Sequence, residues 1–197
     1  MEIKPIQVFN SVECLNIIKA IELNKHKLSV SSDNGGIYLS GYEMDIEEMG
    51  DEITSLITNR INKLVDGSIV QAFAIKYNSE LMDRMENHYD ASTYSIPINL
   101  NNDYDGGGTH FPLIDYTHKP QEHEVGVGIL FEADKLKSWH GALPVTRGTR
   151  YTIVVKIDVD KPLIFTILDS FLLIGYGFYN RHREKKRQKV ESVDIIK

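Results

Sequence analysis

At 197 residues the chain is long enough to bury one sizeable core, and 42% apolar with 25% charged residues is the make-up of an ordinary globular protein. A net charge of −6 and a pI near 5.6 argue against general affinity for nucleic-acid backbones. A single cysteine, Cys14, excludes an intrachain disulfide, and the start Met1-Glu2-Ile3-Lys4-Pro5-Ile6 lacks the apolar stretch of a signal peptide, so a cytoplasmic, intracellular setting is expected.

Taken in chain order, residues 11–25 carry Val12, Leu15, Ile18, Ile21 and Leu23 at helical spacing, with Ser11 as the N-cap and Glu13 in the first turn. Residues 27–42 break at Asp33-Asn34-Gly35-Gly36 between two short alternating runs, which predicts a hairpin. Residues 45–65 place Ile46, Met49, Ile53, Leu56, Ile57, Ile61 and Leu64 on one helical face, ended by Asp66-Gly67. From Ser68 the period changes: 69–77, 93–100, 125–131 and 151–159 read as strands separated by turn residues. Two helices followed by a run of strands imply an α+β fold with helices buttressing a sheet pair.

His88 and Asp90 stand at i and i+2, so on an extended strand their side chains point the same way. His140 follows at a distance, and Arg150 lies ten positions beyond it. Two imidazoles and one carboxylate on one face of a metal leave the opposite positions open, the arrangement used by non-haem Fe(II) oxygenases. A guanidinium nearby suits two-pronged binding of a carboxylate, as a 2-oxoacid cosubstrate requires. Taken singly, each of these residues reads as a surface histidine, a solvated acid or a strand-edge arginine.

The run His88-Tyr89-Asp90-Ala91-Ser92-Thr93, the glycines of Asp105-Gly106-Gly107-Gly108, and Trp139-His140-Gly141-Ala142-Leu143-Pro144-Val145-Thr146-Arg147-Gly148-Thr149-Arg150-Tyr151 resemble the catalytic domain of procollagen lysyl hydroxylases. These are Fe(II)- and 2-oxoglutarate-dependent dioxygenases of the prolyl 4-hydroxylase-like superfamily. The resemblance covers about residues 72–158. It implies a double-stranded β-helix, the jelly-roll, cupin-like barrel, with a helical buttress over 1–67 and a catalytic barrel over 68–160. It further implies His88, Asp90 and His140 as Fe(II) ligands and Arg150 on the distal carboxylate of 2-oxoglutarate. Tyr77 would donate its hydroxyl to the same cosubstrate, Thr152 would join them if it shares a face with Arg150, and ascorbate would be a reductant by analogy. Where lysyl hydroxylases have Cys-Arg after the triple glycine, this chain has Thr109-His110.

The expected activity is hydroxylation of a peptidyl side chain, lysine first, with 2-oxoglutarate and O2 converted to succinate and CO2. Proline, or a free amino acid or small metabolite, is the alternative; a binding module on the same barrel is the non-enzymatic one. The partner expected is a peptide or protein, not nucleic acid. Asp103 and Asp105 are candidates to face a cationic substrate, and Arg147 is the weaker candidate for the carboxylate. His26, His110, His118, His123 and His182 match no ligand position and read as structural or exposed. Residues 162–179 form a long apolar run, with Asp169 at its centre and a basic cluster after it. That run reads as part of the fold or a homodimer contact in preference to a membrane anchor.

Overall fold

Runs of β-branched and aromatic residues from Ser68 onward form the long strands of one sheet, and the two amphipathic segments before them cover one of its faces. A computed structural model describes residues 1–32, 39–80 and 83–159. Its strands are β1 (Ile3–Gln7), β2 (Ser29–Ser32), β3 (Leu39–Asp45), β4 (Ser68–Asn78), β5 (Met85–His88), β6 (Tyr94–Asn99) and β7 (Asp105–Gly106). Then come β8 (Thr109–Phe111), β9 (Tyr116–His118), β10 (Val127–Glu132), β11 (His140–Ala142), β12 (Val145–Arg147) and β13 (Thr149–Asp158). The helices are α1 (Ser11–Leu23) and α2 (Asp51–Asn62).

The large sheet runs β1-β10-β6-β13-β4-β3-β2, and a four-stranded sheet runs β5-β11-β8-β9. A ribbon of β12 and β7 completes the set. The described strands thus form facing antiparallel sheets, the double-stranded β-helix arrangement, without the closed hydrogen-bonded barrel that the resemblance implies. Alternation along β4, β6 and β13 divides the side chains between two layers. Ala72, Ala74, Ile96, Ile98, Ile153 and Val155 pack under the helices against Ile17, Ile21, Ile57 and Ile61. On the opposite face Phe73, Ile75, Tyr77 and Val154 meet Met85 and Ala142 of the small sheet, while Ile129 and Phe131 meet Phe111. Each fully buried aliphatic side chain contributes about 1.5–3 kcal/mol.

Both helices differ from their sequence reading in instructive ways. In α1 the buried face is Cys14, Ile17, Ala20 and Ile21, whereas Val12, Leu15 and Leu23 are each about two-thirds exposed. The apolar residues there cover more than one face, so periodicity alone did not select which docks on the sheet. The N-cap is Asn10 instead of Ser11: its side-chain oxygen accepts from the Glu13 N–H at 2.9 Å, and Glu13 accepts from the Asn10 N–H at 2.9 Å. That reciprocal pair satisfies two donors that a helix start leaves orphaned. The second segment is not one helix from 45 to 65. A 3-10 turn over Ile46–Met49 is separated from α2 by Gly50, whose φ of 100° is incompatible with continuing the helix.

Residues 27–42 do form two antiparallel strands, β2 and β3. The turn at Asp33-Asn34-Gly35-Gly36 lies outside the described residues, as do 162–179 and the basic tail. Among the described residues no helix is long and apolar enough to cross a membrane. Short strands β1, β5, β7, β8, β9, β11 and β12 escape the sequence reading, because two- to five-residue segments carry too few periods to be told from loops.

Glu13 also accepts from Arg60 Nε at 3.1 Å, which ties α1 to α2. Burial works against its charge, but Arg60 and the Asn10 N–H outweigh it and hold the carboxyl below its ordinary range. Its contribution is present at neutral pH and is lost as pH falls through the folded-state value. Asn10→Ala is expected to cost about 1 kcal/mol in urea unfolding at neutral pH. The destabilisation caused by Glu13→Gln should shrink when the same titration is repeated in acid; an undiminished difference would mean that the carboxylate's charge is irrelevant there.

Candidate metal centre

The register of the small sheet builds the site. Strand β11 pairs antiparallel with β5 so that His140 stands directly opposite His88, and the two ring centroids are 4.5 Å apart. Asp90 follows two residues after His88, just past the end of β5, and is buried to 4% exposure. His88 Nε2 lies 3.6 Å from Asp90 Oδ1, and His140 Nε2 lies 3.6 Å from Asp90 Oδ2. One ligand atom from each residue falls within 4.8 Å of the others, the spacing of donors around one ion.

The outer nitrogens of both rings are already committed. His88 Nδ1 is 2.9 Å from the Glu86 carbonyl, and His140 Nδ1 is 2.7 Å from the Ser138 carbonyl. A carbonyl only accepts, so in the neutral ring the proton sits on Nδ1 and the Nε2 lone pair faces Asp90. Such outer contacts fix the tautomer and orientation that metal-binding imidazoles need. Phe111 stacks on the His140 ring at 5.5 Å and Phe131 meets it edge-on at 5.0 Å, so the ring is wedged.

The three groups polarise one another. Burial alone would raise the Asp90 carboxyl, but His88, His140 and Lys156 hold it far below the usual carboxylate range. Burial disfavours charge on His88 as well, yet the hydrogen bond and charge of Asp90 prevail and raise its pKa above 6.5. His140 goes the other way, to about 4, through burial and then the neighbouring His88 charge. A cation between the three would replace the single proton that Asp90 attracts, so this donor set fits a divalent metal. The chemistry of two neutral imidazoles and a carboxylate, with no thiolate, suits iron.

Beyond the triad, β13 lines the pocket. Arg150 and Thr152, two residues apart on one face, are each 2% exposed. Arg150 Nε and Thr152 Oγ1 have no hydrogen-bond partner among the described residues. Arg150 reaches the Gly108 carbonyl only at 3.4 Å and lies 5.3 Å from the Tyr77 ring, its register partner on β4. A buried guanidinium with an idle donor, beside an idle hydroxyl, is a cradle for a carboxylate. Burial raises the Tyr77 phenol against the pull of Arg150, so it stays a hydrogen-bond donor. The triple glycine closes this end: Gly107 has φ 69°, and a Cβ there would stand 3.4 Å from Arg150 Cδ and 3.1 Å from Tyr104.

The structure brings His88, Asp90 and His140 together, and sets Arg150, Tyr77 and Thr152 side by side. Other candidates fall elsewhere. Arg147 sits exposed in β12, in a two-pronged contact with Asp105 at 2.6 and 3.1 Å. Asp103 accepts from Asn101 at 2.5 Å, and both acids of that loop remain exposed. His118 is buried with its Nδ1 unpartnered and is held near 4 by burial, then by His123 and Arg150. Sequence reasoning also missed Lys156, whose Nζ lies 3.2 Å from Asp90 Oδ1. Its position six residues after Arg150, within the apolar run Ile153-Val154-Val155-Lys156-Ile157, was the available signal.

No family model matches the chain. It is 39% identical over 89 residues to the multifunctional procollagen lysine hydroxylase and glycosyltransferase of Caenorhabditis elegans; this is 44% of the chain and 12% of that protein. It is 33% identical over 105 residues to the procollagen lysyl hydroxylase and glycosyltransferase of Acanthamoeba polyphaga mimivirus, covering 52% of the chain and 11% of the relative. With human procollagen-lysine,2-oxoglutarate 5-dioxygenase 1 it shares 28% over 172 residues, 77% of the chain and 23% of the relative. The chain therefore spans less than a quarter of the length of these relatives. Among solved structures, the viral collagen prolyl hydroxylase of Paramecium Bursaria Chlorella virus-1 in its 2-oxoglutarate complex superposes with a TM-score of 0.60 at 18% identity, covering 81% of this chain and 97% of that one. A Trichoplax adhaerens prolyl hydroxylase in complex with a hypoxia-inducible-factor peptide superposes with a TM-score of 0.58 at 12% identity, covering 79% and 83%. The resemblance carried by the motifs is thus borne out: the chain has the fold of prolyl hydroxylases and, over part of its length, is a homologue of procollagen lysine hydroxylases.

Proposed function

We propose that this chain is an Fe(II)- and 2-oxoglutarate-dependent hydroxylase of peptidyl side chains, with lysine as the residue oxidised. One observation carries the reading above the rest: a His88–Asp90–His140 cluster lies in the same fold as a buried Arg150 whose Nε has no partner among the described residues. His88, Asp90 and His140 would hold the iron, and Arg150 with Thr152 and Tyr77 would hold the distal carboxylate of 2-oxoglutarate. When bound, iron and 2-oxoglutarate supply the O2-dependent oxidising chemistry, with succinate and CO2 as the cosubstrate's products, and ascorbate would serve as a reductant. The protein's own part is orientation and exclusion. Glu86 and Ser138 carbonyls aim the imidazoles, Phe111 and Phe131 keep the His140 side dry, and Arg150 fixes the cosubstrate's far end.

Lysine is favoured by the names of the sequence relatives and by Asp45 and Glu47, exposed carboxylates on the wall of a cavity of about 520 Å³ that Lys156 and Ala91 also line. Proline is the second reading, favoured by the charge of Lys156 next to Asp90, which disfavours a second ammonium.

Succinate release by the full chain with Fe(II), 2-oxoglutarate and O2, on Gly-X-Lys and Gly-X-Pro peptides, separates the two readings. The expected outcome is turnover with the lysine peptide, a product heavier by one oxygen, and loss of at least about a hundredfold in His140→Ala and Arg150→Ala. Preference for the proline peptide supports the second reading, and no turnover with any peptide would contradict both.

A second measurement addresses the cosubstrate pocket. If Thr152 Oγ1 awaits an acceptor that a ligand brings, Thr152→Val should leave urea stability unchanged or raise it by about 1 kcal/mol, while weakening 2-oxoglutarate binding severalfold. A clear loss of stability would mean that the hydroxyl already serves the fold.

A further inference from the structure

We propose that Lys156 is the positioning residue of Asp90: its ammonium occupies one carboxylate oxygen, so that Asp90 offers a metal only the other. The inference rests on the metal-site reading above and assigns a task to a residue that lies outside the motifs.

The geometry is asymmetric. Asp90 Oδ1 receives Lys156 Nζ at 3.2 Å and also faces His88 Nε2 at 3.6 Å, whereas Oδ2 faces His140 Nε2 at 3.6 Å, so the ammonium lies on one oxygen of the two. Both partners are withdrawn from water, with side-chain exposures of 19% for Lys156 and 3% for Asp90. The ammonium is held from beneath by the Phe73 ring, 5.3 Å from its centroid, and the backbone is pinned in the middle of the large sheet between Gln71 and Ser95. Alternation along β13 points Lys156 to the same face as Arg150, Thr152 and Val154. The strand that supplies the carboxylate-binding guanidinium at one end thus supplies a second cation at the other.

The chemical consequence concerns the number of open metal positions. A carboxylate free to swing can close on an ion with both oxygens, as carboxylates do around larger cations. At a triad of two imidazoles and one carboxylate, that would consume a position which cosubstrate or O2 needs. A charge-assisted hydrogen bond to Oδ1 opposes the swing and orients the carboxylate, in the way that outer contacts of metal ligands do generally. An ammonium near a metal ion also repels it, and in this proposal the orienting hydrogen bond outweighs that repulsion.

Co(II) is a spectroscopic probe that reports binding without turnover. The full chain, Lys156→Met, Lys156→Arg and His140→Ala are titrated with Co(II) and followed by visible absorption, with far-UV circular dichroism of each metal-free protein as the check on folding. Lys156→Met is expected to weaken Co(II) binding about 10–100-fold and to alter the shape of the absorption band, and Lys156→Arg to restore much of both. If Met at this position unfolds the chain, Lys156→Gln makes the same comparison. Failure of the unaltered chain to bind Co(II), or unchanged binding by His140→Ala, would overturn the metal site itself. Loss in His140→Ala together with equal or tighter binding by Lys156→Met would overturn the role of Lys156 alone. An equal loss in the Met and Arg variants would mark a packing role and would also overturn it.

Discussion

The burial of one carboxylate governs the arrangement of this site. Asp90 has almost no contact with solvent, and a lone ionised acid in such a place would be costly enough to take up a proton. It stays ionised because the Lys156 ammonium meets it from the facing sheet and the His88 ring, whose protonated form it favours, meets it from its own segment, while His140 Nε2 faces it across the β5–β11 ladder. None of these elements could shift register without exposing the acid or leaving it unpaired, since a one-residue slip in a strand turns every side chain to the other face. The same convergence that keeps Asp90 charged prepares a place for a divalent cation.

Strand β13 ties this centre to the rest of the molecule. Its odd face, with Tyr151, Ile153 and Val155, belongs to the layer under the helices, where Tyr151 also donates to Glu22 of α1 at 2.7 Å. Its even face carries Arg150, Thr152, Val154 and Lys156 into the space between the sheets. The helical layer therefore acts on the site indirectly, by holding flat the strand on which a guanidinium, a hydroxyl and an ammonium are mounted in line. Unsatisfied polar atoms at Arg150 and Thr152 are tolerated because the remainder of the strand is well packed.

The chemistry of the site is legible in the sequence to the extent that it resides in motifs. His88, Asp90, His140 and Arg150 stand in runs whose residue order carries information that single residues lack. The long strands and two helices are legible through periodicity over many residues. What escapes has a common physical origin: it depends on which face of an element meets which neighbour. Lys156 looks like any lysine in a strand until β13 is paired on both sides, and Val12, Leu15 and Leu23 look like core until α1 is docked. The contacts of Asp103 with Asn101 and of Asp105 with Arg147 likewise become visible only when the loop is folded. Gly50 is read as part of a helix because nothing local declares that its backbone will turn to positive φ.

In the proposed function one metal ion and one 2-oxo acid would share the space between His88, Asp90, His140 and Arg150. Crystals of the full chain grown with Fe(II) and 2-oxoglutarate in the absence of oxygen, measured at the iron absorption edge, test it most directly. A single anomalous peak bounded by His88 Nε2, His140 Nε2 and one oxygen of Asp90, with a carboxylate of the cosubstrate against Arg150, is the result expected. A peak elsewhere, or cosubstrate that leaves Arg150 unpaired, would contradict it.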